Sequence, residues 1–233
     1  MRTLQEQKAA CLSVVIPTLD AAAVLPATLA ALAEAEIVDE IVVVDGGSRD
    51  DTVALAGRGG ARVITAPRGR GPQLAAGAAA ASGRWLLFLH ADCRPAPGWE
   101  AAIGGFIACR DGAESAGYFA LRLDDPTPAA RRLERIVAWR CRAFALPYGD
   151  QGLLIARTLY DRIGGYAALP LMEDIDLVRR LGRRRLAPLG ATMTASARRY
   201  RTGGYVRRPL RNLGCLALYF LGLPTSLIAR LYR

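Results

Sequence analysis

The chain has 233 residues, 52% of them hydrophobic and 22% charged, with a formal net charge of +10 and a mean hydropathy of +0.17. That balance excludes a disordered or fibrous chain and is long enough to bury one full core. The charge is uneven: residues 1–120 carry 10 basic and 13 acidic groups, a sum of −3, whereas residues 121–233 carry 21 and 8, a sum of +13. This suits a partner with phosphates, either a small anionic substrate or a lipid headgroup surface. Lys8 is the single lysine and Ala and Arg dominate, a compositional bias that explains Arg over Lys but not the asymmetry between halves. Five cysteines (Cys11, Cys93, Cys109, Cys141, Cys215) are scattered, odd in number and without a C-x-x-C spacing, so neither a disulfide framework nor a zinc site is expected and a reducing cytosol fits best. Residues 1–10 are mostly polar and the apolar run after them is too short for a secretory leader.

In chain order, residues 12–16 read as a buried strand ending in Pro17-Thr18-Leu19-Asp20, followed by an apolar face at i, i+4 and i+7 over residues 24–32, with Pro26 in the first helical turn. A second strand over 41–44 ends in Asp45-Gly46-Gly47-Ser48 and leads to a helix that Asp50 or Asp51 would cap. A short strand over 62–65, a Gly-rich loop carrying Arg68 and Arg70, and an Ala-rich helix over 73–82 precede a fourth strand over 85–89, which ends in His90-Ala91-Asp92. Strands of continuous apolar residues alternating with helices imply a parallel sheet covered on both faces. Later come a helix over 97–109, an alternating strand over 117–123, a basic helix over 127–143, a strand over 153–156 and a helix after Met172. The stretch over 213–229 is the most apolar, but Pro224 interrupts it and Arg207, Arg208, Arg211 and Arg230 flank it, so an interfacial or packed helix is expected rather than a membrane span.

Three buried strands thus each end in a carboxylate-bearing loop. Ligands of α/β sheets bind in the crevice at the carboxyl ends of parallel strands, which should gather Asp20, Asp45 and Asp92 around one ligand. Asp45 reads equally as a ligand contact or as a loop acid. Arg70 reads as a phosphate contact or a solvated turn residue. His90, the only histidine, is either a buried, hydrogen-bonded strand-end residue or a metal ligand. Glu173, Asp174 and Asp176 crowd the start of one helix, where acids also complement the helix dipole.

Val15-Ile-Pro-Thr18, Val43-Val-Asp-Gly-Gly-Ser48, Leu87-Phe-Leu-His-Ala-Asp92, Ile163-Gly-Gly-Tyr166 and Glu173-Asp-Ile-Asp-Leu177 stand in that order over roughly residues 12–200. Together they resemble a family 2 glycosyltransferase. The Pro67-Arg-Gly-Arg70, Gly149-Asp-Gln-Gly152 and Ser196-Ala-Arg-Arg-Tyr200 segments resemble more narrowly the bacterial subgroup associated with radical-SAM and selenodomain proteins. The resemblance implies an α/β GT-A (Rossmann-like) three-layer sandwich with a mostly parallel central sheet, a single domain over residues 1–203 with a C-terminal basic amphipathic helical extension over 204–233. It implies a metal-dependent, inverting transfer of a sugar from a nucleotide diphosphate sugar, UDP-type favoured, to an acceptor hydroxyl that the sequence leaves unspecified.

By the same resemblance Pro17, Thr18, Asp20, Asp45, Gly46, Ser48, Arg70, Ala91 and Arg199 would contact the nucleotide sugar. Asp92 would hold Mg²⁺ or Mn²⁺, with His90 standing where the family's D-x-D motif has its first acid. Asp174 would be the general base, with Asp150 and Glu173 as acceptor-side helpers. Arg198-Arg199-Tyr200 is similar to the Q-x-x-R-W segment of processive synthases, but Ser196 replaces Gln and Tyr200 replaces Trp, which argues against a polymer-extruding enzyme. A nucleotidyltransferase-like enzyme would need a basic Gly-rich loop directly after the first strand, and a dinucleotide-dependent dehydrogenase G-x-G-x-x-G there; Pro17-Thr-Leu-Asp20 is neither. A non-catalytic GT-A scaffold at a membrane surface is the other alternative. Nucleic acid is not expected, because the arginines are not interleaved with exposed aromatics. The expected location is cytoplasmic, with room for a peripheral contact at the inner face of the membrane and for a homodimer.

Overall fold

The computed structural model describes residues 11–109 and 111–232; the segment on which the expectation of no secretory leader rests, residues 1–10, lies outside them. An eight-stranded sheet forms the centre. Its first half is parallel: β1 (Leu12–Thr18) pairs with β2 (Val38–Asp45) and β4 (Trp85–Phe88), and β2 pairs with β3 (Arg62–Thr65). All seven residues of β1 are buried, so the middle of the sheet is covered on both faces. Beyond β4 the sheet becomes mixed. β7 (Leu153–Ala156) runs antiparallel to β4 and to β6 (Ala116–Leu123), β8 (Leu186–Ala195) runs parallel to β6, and the short β5 (Cys93–Pro95) closes the edge antiparallel to β8. The α/β architecture expected from the sequence is present, with four parallel and three antiparallel pairings.

Local sequence accounts for the connecting helices. Helices α1 (Leu25–Ala33), α2 (Thr52–Arg58), α3 (Arg70–Ala80) and α4 (Trp99–Ala108) link the parallel strands and the sheet edge. Asp50 rather than Asp51 satisfies the start of α2, its Oδ1 accepting from the Thr52 N–H at 3.1 Å and its Oδ2 from the Ala22 N–H at 3.0 Å. Helix α5 (Pro128–Phe144) opens on Thr127, whose hydroxyl accepts from the Ala130 N–H at 3.3 Å, with Pro128 pre-set in the first turn. After α6 (Arg157–Arg162), helix α7 (Glu173–Leu181) carries Glu173, Asp174 and Asp176 in its first turn and Arg179 and Arg180 in its last, the polarity that the helix dipole favours.

The last three helices are α8 (Arg198–Gly203), α9 (Arg207–Phe220) and α10 (Thr225–Tyr232). The C-terminal pair packs on the main body through two small clusters: Leu216 meets Leu146, Ile175 and Val178, and Cys215 and Ile228 meet Leu171. Among the described residues no helix is long and apolar enough to cross a membrane, and all five cysteines are unpaired.

Helix α3 lies so close to the sheet that a β-carbon at Gly77 would run into the side chains of Val15 and Val44. Gly77→Val should therefore push α3 off β1 and β2 and cost roughly 1–3 kcal/mol or more, read as a lower urea midpoint in equilibrium unfolding.

Candidate active site

A cavity of about 140 Å³ opens where β4, the 149–151 turn, the start of α7 and the C-terminal helices meet. Of the residues singled out from sequence, Arg70, His90, Asp92, Asp150, Glu173, Asp174 and Arg199 all reach its wall. Arg70 enters from the first turn of α3, where its Nε lies 3.0 Å from Glu173 Oε1. Asp174 is held from two sides: its Oδ2 accepts from the Gly149 N–H at 3.0 Å and its Oδ1 from the Tyr166 hydroxyl at 3.3 Å. Tyr166 comes from the Ile163-Gly-Gly-Tyr166 motif, which gives that motif a physical task.

Gly149 has to be small. A β-carbon there would lie 2.5 Å from both Asp174 Oδ2 and His90 Nε2, closer than such atoms approach. His90 Nε2 and Asp150 Oδ1 are buried without a partner among the described residues, the state of groups whose partner is a ligand, an ion or a solvent molecule. A ring nitrogen of His90, a carboxylate oxygen of Asp92 and Cys93 Sγ lie within 4.8 Å of one another. Burial keeps the Cys93 thiol protonated far above the usual range, which leaves the imidazole and the carboxylate as the effective donors of that group.

Electrostatics sort these groups. Burial, then the charges of Arg70 and Arg199, lowers His90 to about 3, so its ring is neutral. Burial raises Asp174 against the pull of Arg70 and the Gly149 N–H. Burial also raises Asp150, with Arg140 opposing and Asp92 adding. Burial and then the adjacent Asp174 raise Glu173 to about 7, although Arg70 opposes them. Acids crowded in one dry site cannot all ionise, and those that stay basic near neutral pH are suited to accept protons.

The remaining predicted contacts, Pro17, Thr18, Asp20, Asp45, Gly46, Ser48 and Ala91, do not line this cavity. They form an adjoining strand-end cluster. Asp45 Oδ1 accepts from the Ser48 hydroxyl at 2.5 Å and the Thr18 hydroxyl at 3.3 Å, and its Oδ2 from the Gly47 and Ser48 N–H groups, each at 2.9 Å. Burial acts against them, but these donors hold its carboxyl below the usual range. These four donors fix the orientation of the Asp45 carboxylate at the strand end. Asp20 sits in left-handed backbone (φ 48°), where its N–H donates to Ser48 Oγ at 2.9 Å and its Oδ1 accepts from the Arg49 N–H at 2.8 Å. Asp20 and Asp45 thus share one strand-end cluster, and Asp92 lines the cavity beside it. Asp45 and Asp20 face loop donors that satisfy them, whereas Asp92 faces the cavity. The Ala91 carbonyl accepts from Thr28 Oγ1 at 2.8 Å, fixing the loop between the two.

Gln73, not singled out from sequence, joins the clusters. Its Nε2 donates to the Thr18 and Val44 carbonyls, each at 2.7 Å, one helical turn after Arg70. The signal was present as a lone polar residue on the buried face of an Ala-rich helix. Tyr200, from the Ser196-Ala-Arg-Arg-Tyr200 segment, lines the cavity too, as do Tyr148, Asn212 and Tyr232, which carry no sequence signature. Arg208, one of the arginines flanking the apolar C-terminal stretch, turns inward: it lines the cavity and donates from Nη2 to the Tyr232 hydroxyl at 3.3 Å.

Residues 13–116 match the model of Glycosyl transferase family 2. A "PGL/p-HBAD biosynthesis glycosyltransferase" of Mycobacterium bovis and one of Mycobacterium tuberculosis are each 43% identical over 88 residues. That stretch is 34% of this chain and 34% of either relative, so the match spans about a third of their length. The fold is similar to that of glucosyl-3-phosphoglycerate synthase from M. tuberculosis. In the complex with Mn²⁺, UDP and glucosyl-3-phosphoglycerate, the match has a TM-score of 0.62 at 22% identity over 94% of this chain and 83% of that one. In the complex with Mg²⁺ and UDP it has a TM-score of 0.59 at 23% identity over 82% and 72%. These likenesses give the GT-A fold expected from the sequence motifs.

The raised proton affinity of Glu173 has a measurable sign. Between its ordinary value of 4.5 and about 7, the folded protein keeps a proton that the unfolded chain has released, so stability falls as pH rises through that window. Glu173→Gln lacks this titration. In urea unfolding of metal-free protein, the stability of the variant relative to the native chain should rise from the lower to the upper end of the window, by on the order of 1–3 kcal/mol.

Proposed function

We propose that this chain is an inverting, metal-dependent glycosyltransferase that moves a sugar from a nucleotide diphosphate sugar, of UDP type, to an acceptor hydroxyl. The observation that carries the reading is the position of Asp174: a half-buried carboxylate, oriented by Gly149 and Tyr166, in the same cavity as Asp92. The UDP and divalent ion in the structural neighbours' complexes and the family match over residues 13–116 support the donor class. The narrower subgroup resemblance rests on the three sequence segments that suggested it.

The donor's diphosphate would enter between Asp92 and the guanidinium groups of Arg70 and Arg199, with its nucleoside along the Thr18–Asp45–Ser48 rim. Asp92 and His90 would hold Mg²⁺ or Mn²⁺, which when bound supplies positive charge to the diphosphate leaving group. The donor set fits: one carboxylate and one neutral imidazole with an unpartnered nitrogen. In the transfer, the acceptor oxygen forms its bond to the sugar's anomeric carbon as the bond from that carbon to the phosphate oxygen breaks. The electron pair leaves with the nucleoside diphosphate. Asp174 takes the hydroxyl proton from the attacking side, and Arg70 and Arg199 stabilise the charge on the departing group. Burial raises the proton affinity of Asp174, Glu173 pairs with Arg70, and Asp150 faces the acceptor. The cytoplasm, where nucleotide sugars are made, is the compartment this reading assigns.

Asp174→Asn keeps volume and hydrogen bonding but cannot accept the proton, so turnover should fall by roughly 10²–10⁴ with donor affinity near normal. Comparable loss of donor binding would move the base to Asp150 or Glu173. Asp92→Asn should abolish the Mn²⁺ dependence of nucleotide binding in a thermal-shift series of nucleotide sugars while the unfolding midpoint of the free protein is kept.

A further inference from the structure

The C-terminal helix pair has an outer face that none of the described residues covers. From Val206, the residue that precedes α9, Leu210, Leu213, Ala217 and Phe220 follow at intervals of four, three, four and three residues, the spacing of one helical stripe. Leu221 extends it into the turn, and Leu227 and Leu231 repeat the interval on α10. The large side chains among them are 43–77% exposed. This is an unusual density of apolar surface, and such patches mark interaction sites.

The charge beside the stripe selects the partner. Residues 177–233 contain 13 arginines and no aspartate or glutamate. Arg207, Arg211 and Arg230 are exposed on these same two helices, while Arg208 is turned into the cavity. A second copy of the chain related by a two-fold axis would set the same arginines against one another, with no acid on the helix pair to pair them. A surface that is apolar below and anionic above matches both components.

We propose that the outer face of α9 and α10 docks on an anionic lipid surface, with Leu210, Leu213, Phe220 and Leu221 seated at the acyl boundary and Arg207, Arg211 and Arg230 at the headgroups. Charge and an apolar helix face are together the two signals that reversible attachment requires. The helices are too short and too interrupted to span, so they lie in the surface plane. The docking uses no catalytic group and stands apart from the assigned reaction.

Sedimentation of the full chain with vesicles tests it. Binding is expected to phosphatidylglycerol-containing vesicles at low salt, to weaken at high salt as screening grows, and to be absent from pure phosphatidylcholine. Leu213→Gln/Phe220→Gln and Arg207→Gln/Arg211→Gln, all at exposed positions, should each weaken binding by about tenfold or more, with an unchanged circular dichroism spectrum. The proposal is overturned by absence of binding to anionic vesicles at low salt, or by binding that neither variant weakens. It is also overturned if light scattering finds a dimer that Leu213→Gln/Phe220→Gln turns into monomer, since the stripe would then be covered by a second copy.

Discussion

The guanidinium of Arg70 is the charge on which the cavity rests. Glu173, Asp174 and Asp150 are acids withdrawn from water within one small space, and burial drives each of them toward its neutral form. An uncompensated cluster of that kind costs several kcal/mol per buried charge. Arg70 opposes burial at all three acids and touches Glu173 directly. It can do so because α3 starts at that residue after a Gly69 in an extended, positive-φ conformation. Gln73, one turn on, clamps the ends of β1 and β2. A single helix start therefore sets the electrostatics of the cavity and the geometry of the strand-end loops beside it.

How much of this was legible in the sequence depends on whether the information is local. β4 and β7 are unbroken apolar runs, and each was found within a few residues of its position, because a strand covered on both faces has little room for a polar residue. β8 was not foreseen. It contains Pro188 and Gly190, which read as breakers, yet β5 meets only Met193–Ala195, so Pro188 lies on a stretch with an open edge where a missing N–H costs nothing. The three-residue β5 exists only because β8 is there to pair with it.

The same division holds for the cavity. Asp92, Asp174 and Arg70 were readable because they sit at element ends within ordered motifs. Asn212 and Tyr232 reach the cavity only because α9 and α10 fold back on Leu171 and Ile175, a long-range event with no local trace. Asp45 shows the opposite limit. Its place at a strand end was right, but its carboxylate accepts four hydrogen bonds from its own surroundings, and no motif reveals how many donors a loop will turn inward.

The cavity is assembled from two stretches of chain meeting along the seam where β4 gives way to β7 and the sheet ceases to be parallel. Arg70, His90 and Asp92 come from the stretch that matches the family; Asp150, Asp174, Arg199, Asn212 and Tyr232 come from beyond residue 116. A site divided in this way is modular. Drift in the later segment would reshape one wall of the cavity without disturbing the wall built by Arg70, His90 and Asp92, so such a scaffold can keep one half of its site while varying the other.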